Sequence, residues 1–369
     1  MKKKQLIVGL AVLAVLVLLL IWGRNRIHFD FAVFRSQLAL ANWGKMAIGL
    51  GCIYLAYVFR SARWALLMRH IKRVPLFSLL GTQVMGFTAV ALIGRVADLT
   101  RPYLVARKTK SELSSQVAIY IVERLFDAGA MALVFSLALL QVSQAEVLQA
   151  IRQTGHMSFL LHRSPELAAD GLRYGALVLT LLGALFLVGI RLSGELIARI
   201  FERAFGLISK ELGHSAGHKI RTFHSGLDTI RSFGDFAAAG LLSLSMWVLI
   251  AAAYFTTMRA FTASPALASI NVGKAVLMML VSGTASTLMI PVIGWFSQIG
   301  IVAWAVAVVT GAGHEAAVAC AACILLVTFL GIIPVGLVWA QFEDVSLRSV
   351  TVESEQAGER LIEEPGTAE

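Results

Sequence analysis

Charge is scarce in this chain. Of 369 residues only 15% are Asp, Glu, Lys or Arg, while 58% are hydrophobic. Several apolar runs approach the roughly 20 residues that cross the hydrocarbon core of a bilayer, and a soluble core of this size has no need of them. Cysteine is scarce too: Cys52, Cys320 and Cys323 all sit in apolar runs. Cys320-Ala-Ala-Cys323 has the spacing of a redox or zinc pair, but no histidine, charge or second pair accompanies it, so it reads as packing. His214 and His218, an i, i+4 pair, lack a carboxylate motif and read as solvated interfacial residues rather than a zinc site. No basic domain interleaved with aromatics lies outside the apolar runs, which excludes nucleic-acid binding. Neither a metal nor a cofactor is expected.

The net charge of +10 is unevenly placed and therefore reports on topology. Lys2, Lys3 and Lys4 precede an apolar stretch from Leu6 to Trp22, and Arg24 and Arg26 follow it where a signal peptide would carry small residues. The stretch reads as a retained first helix with its amino end inside. A basic cluster (Arg60, Arg63, Arg69, Lys72, Arg73) and a second group (Arg95, Arg101, Arg107, Lys108, Lys110) flank the apolar run from Val74 to Ile93. Short basic loops stay on the cytoplasmic side, so the run enters the bilayer and returns, with both ends on one face and Ile93–Arg101 as the second half of the hairpin.

Further apolar segments fall at about 46–59, 115–141, 174–190, 236–258, 272–311 and 316–340. The 272–311 segment is too long for one crossing and is broken by Gly283, Pro291 and Gly294, so it reads as a second hairpin. The expected fold is an all-α polytopic membrane protein with about six full transmembrane helices and two re-entrant hairpins. The order helix, helix, hairpin, helix occurs twice, in halves 1–141 and 174–341. Three full crossings per half make the repeat inverted. Both termini are then cytoplasmic, with 22 Lys or Arg inside, 9 outside and Arg124 within a helix.

Two regions lie outside the transmembrane domain proper, which is placed at 1–341. Within 191–235, Ile197, Ile200, Phe201, Phe205, Ile208 and Leu212 recur at helical spacing, the pattern of an amphipathic helix on the cytoplasmic leaflet. The tail 342–369 holds eight acidic residues and is expected to be disordered.

The candidate site joins the first hairpin to the helix after it. Arg95, Asp98 and Arg101 stand at i, i+3, i+6, and Glu123, Arg124 and Asp127 share a face of the next helix. Charges within an apolar helix face the protein interior or a wet cavity. The three arginines offer a phosphate its bidentate partner, and the carboxylates orient them or bind a cationic headgroup. Purely structural ion pairing of hairpin and helix is the alternative.

At these residues the chain resembles the flippase-like transmembrane region of the lysylphosphatidylglycerol synthase family, which includes the membrane half of the multiple peptide resistance factor and stand-alone relatives. Arg95, Asp98 and Arg101 match the Arg, Glu and Arg of its re-entrant Pro-x-Arg-x-Gly-Glu-x-x-Arg element. Glu123, Arg124 and Asp127 match its Glu-Arg-x-x-Asp helix, and Pro291-Val-Ile-Gly294 echoes its later hairpin. Ile93 replaces the proline, Ala97 the glycine and Asp98 the glutamate, and Gln298 lies where a carboxylate is common.

The resemblance implies a lipid translocator in a bacterial inner membrane, with anionic or zwitterionic phospholipid as its partner and a homo-oligomer as a possible assembly. Within the family the aminoacyl transferase is a large soluble domain after the membrane region. Only the short tail follows here, so synthase activity is not expected. A non-transporting accessory subunit of a lipid-modifying or glycosyltransferase system is the other class of function that fits.

Overall fold

A computed structural model describes residues 29–145, 165–206, 232–286 and 293–343, with position 209 and several positions between 345 and 357. The expected first helix, His214, His218, Pro291 and the end of the tail lie outside the described residues. Every regular element described is helical.

Helix α1 (Phe31–Ala39) is capped by Asp30, whose carboxylate accepts from the N–H groups of Ala32 and Val33. Helix α2 (Trp43–Met68) is capped in the same way by Asn42 and is bent 74° from α1. The apolar run is one unbroken helix, α3 (Leu76–Ile93), and the second half of the hairpin, expected over Ile93–Arg101, starts where it ends. The fold-back comes at Gly94, whose φ of 98° and ψ of −171° belong to a region that only glycine occupies readily. A 3-10 turn (Arg95–Leu99) and α4 (Thr100–Thr109) then return along α3.

That return closes a true hairpin. Lys108 Nζ donates to the carbonyl of Ser78 at 3.2 Å, and Lys72 Nζ donates to that of Thr109 at 2.7 Å, so the two ends of the hairpin lie side by side. The arms touch because residue 86 is glycine: a β-carbon there would collide with Arg101 Cγ.

Helix α5 (Leu113–Leu139) completes the first half. The second half begins with α6 (Pro165–Gly206), broken at Ser193, where the amphipathic segment was expected to start. Of that segment's apolar positions, Ile197 is half-buried and Ile200 exposed, while residues 207–231 fall outside the described set apart from 209. Helix α7 (Phe233–Met258) is capped by Ser232. Then come α8 (Val272–Ala285) and α9 (Ile293–Thr310), followed by α10 (His314–Thr328), a 3-10 turn (Leu330–Ile332) and α11 (Ile333–Phe342). Tyr54 Oη donates to the Gly331 carbonyl at 2.7 Å, satisfying backbone freed where α10 gives way to α11.

The two halves exchange contacts reciprocally. Helices α2 and α7 pack antiparallel along their length: Gly49 meets Thr256 and Thr257, Arg63 meets Ser243, and Arg69 pairs with Asp235. Small residues bring the backbones close, as Gly49 does against Ala253. Helix α3 lies on α11, with Gly81 under Trp339 and Gly336 under Thr88, while α8 lies on α5, with Gly273 against the Ala138 carbonyl. The first hairpin thus packs on α11, and α8 packs on α5.

The chain is an all-α membrane protein. Among the described residues, three stretches, α3, α7 and His314–Phe342, are long and apolar enough to cross a bilayer, and the bent pair α1 and α2 brings the number to four; the first of the six expected crossings lies outside those residues. Helix α5 has the length, with 27 residues, but carries Glu123, Arg124 and Asp127 near its middle.

The described part of the acidic tail lies against the first hairpin and α11. Val350 and Ser354 are buried, Val350 in a cluster with Met85, Leu104 and Ala340. Glu353 accepts from Tyr103 Oη at 2.9 Å, and Glu343 pairs with Lys108 at 2.6 Å. A basic, aromatic face on α4 gives the acidic segment a surface to dock on, which composition alone does not reveal.

Candidate functional site

Four arginines converge on two carboxylates at the junction of the first hairpin with α2 and α5. Arg101 enters from α4 and is buried because the Gly86 gap lets it pass over α3. Arg60 and Arg63 come from successive turns of α2, and Glu123, Arg124 and Asp127 from consecutive turns of α5. All four guanidinium groups address Glu123 Oε1: Arg63 Nη2 at 3.0 Å, Arg101 Nη1 at 3.1 Å, Arg124 Nη2 at 2.5 Å and Arg60 Nη1 at 3.8 Å. Asp127 takes Arg63 Nη1 on Oδ1 at 2.6 Å and Arg124 Nη2 near Oδ2 at 2.9 Å.

Neutral groups complete the cluster. Arg101 Nη1 donates to Gln83 Oε1 at 3.2 Å, and Arg63 Nη1 donates to Ser243 Oγ. Phe87 lies between two guanidiniums, 4.4 Å from Arg60 and 4.5 Å from Arg101, and Tyr120 lies between those of Arg101 and Arg124 at 5.0 and 5.2 Å. Such faces stabilise a desolvated cation by about 2 kcal/mol or more. The formal charge of the cluster, four cations against two anions, stays positive by two.

Burial separates the roles. The side chains of Arg63, Arg101 and Glu123 are each 1% exposed, Arg60 is 10% exposed, and Arg124 is 40% exposed. Among the described residues, Glu123 Oε2 and Arg101 Nε are buried without a hydrogen-bond partner. Arg63 reaches both carboxylates, through Nη2 to Glu123 and Nη1 to Asp127, while its Nε is buried without a partner among the described residues, and it serves as the keystone of the cluster.

Arg60 connects the cluster to a cavity of about 190 Å³ between the halves. Its walls are Ile53, Ala56, Tyr57 and Arg60 of α2, Phe87 of α3, Trp247, Ile250 and Tyr254 of α7, Met279, Ser282 and Gly283 of α8 with Ser286 after it, Gln298 of α9, and Thr328 and Phe329 at the break after α10. Gln298 Nε2 donates to Ser282 Oγ at 2.9 Å, tying the arms of the second hairpin together much as Arg101 and Gln83 tie the first.

Of the residues predicted for the site, Arg101, Glu123, Arg124 and Asp127 are brought together. Asp98 is half-buried in the 3-10 turn; Arg95 opens that turn, and its side chain is outside the described set. Gln298 lines the cavity, and Gly294 is buried in the first turn of α9. Arg60, Arg63, Gln83 and Ser243 were not predicted for the site. Arg60 and Arg63 were read as a topology signal, although the apolar pattern continues past them through Trp64, Leu67 and Met68.

No curated protein and no solved structure matches this chain. The family model described as the lysylphosphatidylglycerol synthase transmembrane region matches residues 6–336, covering both hairpins and the charged cluster, and the chain belongs to that family.

Proposed function

We propose that this protein is a lipid translocator that holds the phosphate of a phospholipid headgroup at the arginine cluster and moves it between leaflets. The observation that carries this reading is the buried excess of positive charge with Arg60 at the cavity wall. Uncompensated buried charge costs several kcal/mol, on the order of 3–5. An anion in the cavity relieves it, and a guanidinium suits a phosphate in both geometry and charge.

The surroundings support movement as well as capture. The cavity lies between halves that exchange their hairpins and beside the break between α10 and α11, an arrangement suited to alternating access. Its volume of about 190 Å³ accommodates a headgroup and leaves the acyl chains outside. Arg95 and Asp98, on the turn at the tip of the first hairpin, would guide the headgroup inward. In this reading the termini and the basic flanks of the first hairpin face the cytoplasm of a bacterial inner membrane. Aminoacyl transfer forms no part of it.

The test is reconstitution into liposomes with head-labelled anionic, zwitterionic, aminoacylated and polyprenyl-phosphate lipids. Faster crossing of at least one than in empty liposomes supports transport. No acceleration of any, with or without a proton gradient, favours the accessory-subunit role instead.

A further inference from the structure

The segment after α11 lies across the base of the first hairpin and touches both of its arms. Glu343 stands between the halves: it accepts from Trp339 Nε1 of α11 at 3.1 Å and pairs with Lys108 of α4 at 2.6 Å, while the same Lys108 donates to the Ser78 carbonyl of α3. Further on, Val350 is buried among Met85 of α3, Leu104 of α4 and Ala340 of α11. Glu353 accepts from Tyr103 Oη at 2.9 Å and lies 3.7 Å from Arg107, and the buried hydroxyls of Ser354 and Thr100 approach to 3.4 Å. These contacts reach the charged cluster at one remove. Met85 precedes Gly86, the residue that admits Arg101, and Leu104 follows Arg101 by about one turn of α4.

This fastening is weak enough to release. Among the described residues past Glu343, Val350 is the single apolar side chain that is buried. Both ion pairs are of the exposed kind, with side chains 30% and 25% exposed at Lys108–Glu343 and 58% and 47% at Arg107–Glu353, and such pairs hold little and yield to competing charge. Their position supplies the competitor. Ser78 lies in the first turn of α3, a stretch able to cross a bilayer, and Phe77 beside it is exposed, so Lys108 sits where the headgroups begin. An anionic leaflet attracts Arg107, Lys108 and the neighbouring Lys110, and it repels Glu343 and Glu353. Both effects open the same contacts.

We propose that residues 343–354 are a releasable strap that fastens the first hairpin to α11, and that an anionic lipid surface releases it. Beside neutral lipid the strap stays docked and the arm carrying Arg101 is held against the opposite half. Beside anionic lipid the basic base of the hairpin turns to the headgroups and the arm is free to shift. The strap lies past the stretch matched by the family model, which ends at 336. Its release does not depend on the translocator reading.

Ser354→Cys, in the full-length protein with Cys52, Cys320 and Cys323 replaced, puts a thiol where the docked strap buries it. The protein is placed in nanodiscs of phosphatidylcholine, alone or mixed with phosphatidylglycerol, and its rate of reaction with a membrane-impermeant maleimide is measured at constant ionic strength. Labelling should be slow in phosphatidylcholine, about tenfold or more faster in the mixture, and still slow in phosphatidylcholine with soluble glycerol phosphate added. Glu343→Gln combined with Glu353→Gln removes the charges that the surface acts on and should label fast in both lipids. Arg60→Gln, which alters the cavity and not the strap, should keep the full lipid response. Equal rates in the two lipids overturn the inference, whether both slow, as for a permanent fastening, or both fast, as for a segment that does not dock. Release by glycerol phosphate, or a lipid response lost in Arg60→Gln, overturns it as well, since the agent is then a free anion or a lipid in the cavity. Hydrogen exchange of residues 343–354 in the unaltered protein gives the same comparison if the cysteine itself loosens the strap. Liposome transport fails separately: lipid-dependent release in a protein that moves no lipid keeps the strap and removes the translocator.

Discussion

Arg63 and Asp127 face each other from α2 and α5 with Nη1 and Oδ1 2.6 Å apart, and both side chains are buried. The same guanidinium reaches Glu123, so one residue holds both carboxylates of the cluster in place. Arg63→Gln leaves them partly uncompensated and should destabilise the protein by about 3–5 kcal/mol. Adding Asp127→Asn should restore part of that loss. Thermal unfolding of purified protein, with retention on size exclusion, reads both effects; a single variant as stable as wild type contradicts the keystone role.

Arg124 provides the contrast. It contacts Glu123 and Asp127 as well, yet its side chain is 40% exposed and leans on Tyr120. Solvent and mobility weaken pairs of that kind, so Arg124→Gln should cost clearly less stability than Arg63→Gln in the same assay. Equal losses would show that Arg124 is as structural as Arg63.

The turn of the first hairpin depends on backbone. Gly94 adopts a conformation that other residues reach only at a cost of about 1–3 kcal/mol, and Gly86 leaves no space for a β-carbon beside Arg101. Gly94→Ala and Gly86→Val should each loosen the hairpin. Cysteines placed at positions 78 and 108, in a background with Cys52, Cys320 and Cys323 replaced, should cross-link readily in the parent and much more slowly in both variants. Unchanged cross-linking would mean that the arms are held by something other than these glycines.

Much of this arrangement is legible in the chain itself, because apolar runs and their breaks are local signals. The segments 236–258 and 115–141 coincide closely with α7 and α5, and Glu123, Arg124 and Asp127 stand out as charges inside an apolar helix. The first hairpin is legible from its basic flanks, and its point of return from the arginine and aspartate that follow the apolar run. The sequence starts the second arm at Ile93, one residue before the glycine at which the chain turns, but it does not show that the return continues as a helix to Thr109. Arg60 and Arg63 carry the same charge as true loop residues, and only the continuation of α2 to Met68 moves them into the protein. Gln83, Ser243 and Trp247 give no local signal, since neutral side chains gain their meaning from partners far along the sequence.

Topology follows from the contact between the hairpin's ends. Because Lys72 meets the backbone of Thr109, single cysteines at positions 72 and 110 should react with an impermeant reagent from the same side of the membrane, and from the cytoplasmic side if the basic residues set the orientation. Labelling from opposite sides would break the hairpin and the inverted repeat built on it.

The central claim is that Arg60 presents the buried positive charge to a lipid phosphate in the cavity. The most direct measurement is the rate at which head-labelled phosphatidylglycerol crosses proteoliposomes containing wild type or Arg60→Gln, against empty liposomes, with folding of both proteins checked by size exclusion. Wild type should exceed the empty rate, and folded Arg60→Gln should lose at least about tenfold of that excess, the loss of roughly one charge-assisted hydrogen bond. A folded Arg60→Gln protein that moves the lipid as fast as wild type, or a wild type no faster than empty liposomes, contradicts it.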